Sequence, residues 1–288
     1  MTFGEHLFLG LLEGVVSGLI LALTALGLSL VFGVMRIVNV AHGEFFMLGA
    51  VVAWYASSLT GSFYAALLVA PVVVGAVALT AERFILRPIE YAPEATIVAT
   101  IGLLYILQQV VLSVYGPYAR PVNAPVYFRV DFPGFGYSGY KLVVAGVAAV
   151  LLGALWLLVT RTRLGLYMRA TQQDREIAQA FGVPVDRIYG AAFALGAMLA
   201  AVAGVLIVPV QQAHYLMGLD ALLLSFMAVI IGGVGSLKGT LVAALLIGLV
   251  DGVMSVFFSP TLAKVGASLL VAFVLVLRPG GLFGEESP

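Results

Sequence analysis

Apolar residues run along this chain in blocks of membrane length, separated by short polar punctuation. Nine runs can be marked, at roughly 7–32, 38–58, 62–82, 95–115, 141–160, 189–209, 220–236, 239–258 and 263–277. A helix rising 1.5 Å per residue needs about 20 residues to cross the hydrocarbon core. The pattern therefore predicts an all-α fold, a polytopic membrane helical bundle of about eight to nine spans. The seventh and eighth runs are parted only by GGVGSLKG, Gly232 to Gly239. They read either as two full spans or as a broken or re-entrant pair. Discontinuous helices are tolerated only where the freed backbone is buried in protein or lines a cavity.

The largest polar interruption between apolar runs on the basic side is RTRLGLYMRATQQDREIAQAFGVPVDRI, Arg161 to Ile188, with five arginines and three acids. Residues 163–181 are expected to form a short helix. Thr162 is placed to cap its start, Gly182 to end it in a left-handed conformation, and Pro184 to block continuation. Leu166, Ala170, Ile177 and Phe181 supply apolar contacts, and Arg169, Asp174, Arg175 and Glu176 supply charge. A charged helical loop of this kind suits a docking element for a soluble partner; the plainer reading is a solvated amphipathic helix. If the loop is cytoplasmic, ten Lys/Arg fall inside and four outside, as the inside-positive bias requires. That orientation puts the N-terminus outside and the C-terminus inside, which demands an odd number of crossings. Residues 116–140 then form the longest external loop, rich in Pro, Gly and aromatics. They read as an interfacial aromatic belt with turns, or as a surface meeting an external partner.

Composition sharpens the class. The chain is 62% hydrophobic and 10% charged, against about 45–50% and 25% in soluble proteins. The bilayer is the solvent for most of its 288 residues, and no hydrophilic stretch is long enough for a second domain. A single membrane domain over 1–288 is expected, with 161–188 a loop within it. The net charge is zero, so nucleic-acid binding has no electrostatic support. Cysteine is absent, which removes disulfides and thiol chemistry. The first seven residues carry no Lys or Arg, so the first apolar run is expected to be a retained span rather than a signal peptide.

Polar groups interrupt the apolar runs in three places. Asn39, His42 and Glu44 flank Gly43 at the start of the second run; they read as part of a broken helix lining a substrate path, or as an ordinary helix start at the interface. Gly233, Gly235 and Ser236 lie in the GGVGSLKGT segment. That segment is neither a phosphate loop nor a dinucleotide fingerprint, because its lysine and glycines stand at the wrong spacings. It reads as irregular backbone beside a translocation path. Glu13, Gln108, Gln109 and Asp251 are scattered within runs and are expected mainly to join helices. Glycine pairs at four-residue spacing, Gly14/Gly18, Gly235/Gly239 and Gly248/Gly252, predict close helix packing inside the bundle. No nucleophile–His–acid set stands out, and the three histidines lack metal-ligand spacing. No catalytic residue, metal site or cofactor is assigned.

Four segments together carry a resemblance: FGVMRIVNVAHGEFFMLGA, RATQQDREIAQAFGVPVDRI, IIGGVGSLKGT and LRPGGLFG. With these the chain resembles the inner-membrane permeases of branched-chain amino acid ABC importers, the LivH type. The resemblance implies a multi-pass protein of the bacterial inner membrane with a sister permease, two ATP-binding subunits and a periplasmic solute-binding protein. It implies that the 161–188 loop docks the ATPases, with Arg169, Asp174, Arg175, Glu176 and Gly182 in the coupling element. It implies small-molecule transport, with branched-chain or hydrophobic amino acids first and urea, amides or aromatic acids as neighbouring alternatives, and no ATPase site in this chain. A stand-alone channel or secondary transporter would not need the docking loop.

Overall fold

The computed structural model describes residues 2–278 and 280–283. Eleven α-helices are described: α1 Phe3–Met35, α2 His42–Thr60, α3 Phe63–Ala81, α4 Pro93–Tyr115, α5 Gly139–Arg161, α6 Arg163–Gln173, α7 Arg175–Ala180, α8 Val185–Ile207, α9 Met217–Gly232, α10 Leu237–Phe257 and α11 Pro260–Leu277. Each of the nine apolar runs becomes one helix. Six of these are long and apolar enough to cross a membrane: α1, α3 with its extension to Leu86, α4, α5, α8 and α10. The protein is an all-α polytopic membrane bundle. Of the C-terminal LRPGGLFG motif, Pro279 and Gly284 lie outside the described residues.

The centre of the bundle is α1 and α8. Of the most apolar stretch of α1, 78% is buried, against 28% for α5; α5 belongs to the rim of the bundle. Small residues bring α1 against its neighbours. A Cβ on Gly14 would stand 2.7 Å from Leu249 Cα, and one on Gly248 2.3 Å from Gly18 Cα. The contact order, Gly10 with Val253, Gly14 with Leu249, Gly18 with Leu245, makes α1 and α10 antiparallel. On another face of α1, a Cβ on Gly27 would lie 2.5 Å from the Gly196 carbonyl oxygen of α8. The helices approach to backbone contact because the glycines leave nothing between them.

Polar side chains fix the ends. Lys141 of α5 donates to Glu13 of α1 at 2.6 Å. Beyond α3 the helix widens into a π-type turn over Glu82–Leu86, and Glu90 and Tyr91 then adopt positive φ. The Tyr91 hydroxyl fastens this turn by donating to Glu82 at 2.5 Å, and Arg87 pairs with Asp186 at the root of α8.

Residues 116–140 contain an antiparallel hairpin, β1 Arg129–Phe132 with β2 Phe135–Ser138, which the aromatic-belt reading did not foresee. The aromatics still act as a belt: Phe8 meets Phe132 and Phe135 with ring centroids 5.4 and 5.9 Å apart. Arg120 holds the loop, stacking over Trp54 at 4.4 Å and Tyr115 at 4.7 Å.

The 23-residue α5 separates this loop from α6 and α7, a rise of about 34 Å. The two polar regions therefore belong on opposite sides of a bilayer. The orientation has a direct test in a chain without native cysteine. In intact cells an impermeant thiol reagent should label Asn123→Cys and leave Arg175→Cys unlabelled. The reverse pattern would invert the topology.

Candidate functional site

The polar start of α2 is built by an abrupt end to α1. Arg36 takes φ 54°, a left-handed conformation, and its N–H returns to the Phe32 carbonyl. Residues 36–41 then run back along the bundle without helical structure, so Asn39 lies outside α2 while His42 and Glu44 stand in its first turn. Val40 N–H donates to Thr100 Oγ1 at 3.2 Å, and Ala41 N–H to Asn39 Oδ1 at 3.1 Å. His42 Nε2 donates to the Thr24 carbonyl at 3.0 Å. A carbonyl only accepts, so this bond places the ring proton on Nε2 and leaves Nδ1 an acceptor in the neutral ring. Thr24 lies within α1, about 16 Å of helix before its end at Met35. The second apolar helix thus begins in the interior of the bundle.

Asn39, His42 and Glu44 are each 0% exposed. Glu44 Oε1 accepts from Gln108 Nε2 at 2.9 Å, tying α2 to α4. A Cβ on Gly43 would lie 2.1 Å from the Gly218 carbonyl oxygen, so α9 closes directly on this turn. Asn39 Nδ2, His42 Nδ1, Glu44 Oε2 and Ser225 Oγ have no hydrogen-bond partner among the described residues. Buried polar atoms left unpaired cost about 1–3 kcal/mol each. A cluster with a free donor, a free acceptor and a free carboxylate oxygen is chemistry suited to handling a polar solute or its water.

The structure does not bring Gly233, Gly235 and Ser236 to this cluster. Gly233 and Gly235 take φ 97° and 80°, forming the turn from α9 to α10. Ser236 Oγ caps α10 by accepting from Gly239 N–H at 3.1 Å. The turn rests beside Gly33 at the end of α1, and Gln172 of α6 donates to the Gly235 carbonyl at 3.4 Å. It therefore adjoins the Arg161–Ile188 region. Residues that sequence reasoning passed over are Thr24, Thr100 and Ser225; isolated hydroxyls in apolar runs carry no pattern that marks them.

The Arg161–Ile188 region is two helices, because Asp174 leaves the helical conformation and caps α7 by accepting from Ile177 N–H at 2.9 Å. Thr162 caps α6 through Gly165 N–H at 3.1 Å. Gly182 takes φ 82°, the left-handed stop its position suggested. Arg169 is half-buried and donates to the Val159 carbonyl, which fixes α6 under α5. Arg36 donates to the Gln172 carbonyl at 3.2 Å. Asp174, Arg175 and Glu176 are exposed, beside a cleft of about 490 Å³ reaching from Val34 to Tyr189. On the outer surface Phe181 is 85% exposed and Ile177 56%, an apolar pair left uncovered by the described residues.

Residues 10–277 match the family model described as branched-chain amino acid transport system / permease component. The high-affinity branched-chain amino acid transport system permease protein LivH of Escherichia coli K12 is 28% identical, covering 95% of this chain and 94% of that protein. The corresponding BraD protein of Pseudomonas aeruginosa is 28% identical over 97% of this chain and 96% of its own. The probable permease protein LivH of Methanocaldococcus jannaschii is 28% identical over 96% and 92%. Among solved structures, PsaBC from Streptococcus pneumoniae in complex with Fab superposes with a TM-score of 0.51 at 13% identity, covering 94% of this chain and 92% of that one. That likeness is one of fold alone.

Proposed function

This chain belongs to the branched-chain amino acid transport permease family, and from that premise we propose that it is the permease subunit of an ABC importer for branched-chain amino acids. The family match over residues 10–277 is the observation that carries the reading. The chain forms the membrane passage with a sister permease and receives solute from an external binding protein. It has no ATPase site of its own; two ATP-binding subunits drive it from the cytoplasmic side of the bacterial inner membrane.

The ATPases dock on the coupling element formed by α6 and α7. What supports this is an exposed apolar pair, Ile177 and Phe181, beside the exposed charges Asp174, Arg175 and Glu176. Coupling needs a rigid element that both sites bias. Gln172 supplies it: its carbonyl accepts from Arg36 at the end of α1, and its carboxamide donates to Gly235 in the α9–α10 turn. Movement of α6 is felt at both places. In this reading Gly233, Gly235 and Ser236 transmit the movement at the inner mouth, while Asn39, His42 and Glu44 lie close to the route at mid-depth, buried behind its wall.

Reconstituting the chain with its ATPase, sister permease and binding-protein subunits tests this directly: ATP-dependent leucine uptake is expected, and uptake without ATP would instead favour a stand-alone transporter. In the same system His42→Ala and Glu44→Gln should each lower uptake about tenfold, the loss of one hydrogen-bonding contact of about 1.4 kcal/mol, with complex yield largely kept. A parallel fall in yield and uptake would make these residues structural.

A further inference from the structure

We propose that the outward face of α4, marked by Gly102, Tyr105, Gln109 and Ser113, lines the aqueous route of the solute where this chain faces its sister permease. The inference rests on the importer reading above and says where in this chain the solute meets solvent-accessible polar groups.

α4 packs chiefly against α2 and the turn after α3. Its buried side carries Thr96, Thr100, Leu104, Leu107 and Gln108. At 100° per residue, Gly102, Tyr105, Gln109 and Ser113 fall within an arc of about 80° on the opposite side. All four are exposed in this chain. Tyr105 is 61% exposed and stands near the middle of the 23-residue helix, about 15 Å from its outer end. Tyrosine belongs at the membrane interface, where its hydroxyl meets water. From the helix centre the side chain cannot reach that interface. Gln109 is about one turn nearer the outer end and still within the apolar stretch.

The rim helices treat lipid differently. Between Leu68 and Leu79, α3 exposes only leucine, valine and alanine. Between Val143 and Leu157, α5 exposes valine, glycine, alanine, leucine and Trp156. Neither presents a hydroxyl, carboxamide or charge to the outside over those spans. Polar groups on a membrane helix face protein or a water-filled cavity, since hydrocarbon satisfies none of their hydrogen bonds; the Ser113 hydroxyl is already satisfied, donating to the Gln109 carbonyl at 2.7 Å, so Tyr105 and Gln109 carry the argument. Gln108, the neighbour of Gln109, binds Glu44 behind the helix. α4 therefore separates the buried cluster from the proposed route, carrying a carboxamide toward each. Fully buried Asn39, His42 and Glu44 act on the solute through α4, or after it shifts.

The strip suits a zwitterion with an aliphatic side chain. The Tyr105 hydroxyl and the Gln109 carboxamide each donate and accept, so together they meet a carboxylate and an ammonium. Gly102 has nothing within 4 Å of where a Cβ would stand, which leaves room for the apolar part.

Thiol accessibility in the assembled transporter tests the assignment, because the native chain has no cysteine. Tyr105→Cys, Gln109→Cys and Ser113→Cys are compared with Ile101→Cys and Val110→Cys on the two flanks of the same helix, in membrane vesicles holding the complete complex. The probe is a small, charged, water-soluble thiol reagent. The strip positions should react about tenfold faster than the flank, since reaction needs a thiolate in contact with water. Saturating leucine should slow them. Strip cysteines as slow as the flank ones, in a complex of normal yield, would overturn the proposal. Fast labelling that no amino acid slows would keep the route and tell against the substrate class instead. These positions touch little in the folded chain, so complex yield serves as the internal check.

Discussion

Gly248→Val leaves little folded protein in the membrane. A Cβ at position 248 would lie 2.3 Å from Gly18 Cα and 2.6 Å from the Gly14 carbonyl oxygen, and valine adds two methyl groups beyond it. Both obstructing atoms are backbone, so no rotamer change relieves the clash. Helix α1 cannot retreat, because its Gly27 is in comparable contact with Gly196 of α8. Overpacking a core costs about 1–3 kcal/mol when neighbours can adjust; here the expected cost is about 3 kcal/mol or more. The measurement is the detergent-solubilised folded yield and its thermal melt, with Gly153→Val as control. Gly153 has nothing within 4 Å of a Cβ position and should tolerate the change. A Gly248→Val protein that accumulates and melts like the parent would show that α1 and α10 do not pack this closely.

Phe181→Ala should uncouple the permease from its ATPases while leaving the fold intact. Phe181 is 85% exposed and lies just beyond α7, so truncation removes little packing within the chain. An aromatic anchor seated in a partner's pocket contributes about 2 kcal/mol or more, which is about thirtyfold in affinity. Titrating purified ATP-binding subunits against the permease reads this directly, and uptake should fall with it. The melting temperature should stay within about 1 °C, as for surface changes worth less than 0.5 kcal/mol. Unchanged ATPase affinity would remove α7 from the docking surface.

The helices were legible because membrane length is written plainly in apolar run length. The run 7–32 became Phe3–Met35 and the run 239–258 became Leu237–Phe257. The glycine pairs Gly14/Gly18 and Gly248/Gly252 announced a close approach, and they meet each other across α1 and α10. Gly235/Gly239 did not act as a helical pair: Gly239 packs on Gly232 across the turn, and Gly235 sits at positive φ within it. The break between α6 and α7 was hidden because Asp174 is tolerated within a helix yet caps one better. The hairpin at 129–138 was hidden because each strand has four residues, too few for alternation to stand out from an aromatic loop.

The candidate site was legible in its residue types and illegible in its depth. Nothing local says that the chain after Arg36 turns inward, since a left-handed turn is marked by glycine far more often than by arginine. The position of His42 beside Thr24 is decided by helices that arrive much later in the chain. For the same reason, the distance along α1 between Thr24 and Gly33 separates two segments that both interrupt apolar runs with glycine and polar groups.

The inward turn at residues 36–41 also has a consequence for how the protein is made. A helix that starts halfway through the bundle cannot be delivered to the bilayer as a finished span. Its polar start is covered by α8 and α9, with Gly218 closing on Gly43, and these helices are synthesised long after it. Until they arrive, Asn39, His42 and Glu44 must wait in water at the membrane surface or inside the insertion machinery. The contacts that bury this polar start are therefore completed only once residues 217–232 exist, so α2, second in the chain, cannot reach its final packing before α9 has been made.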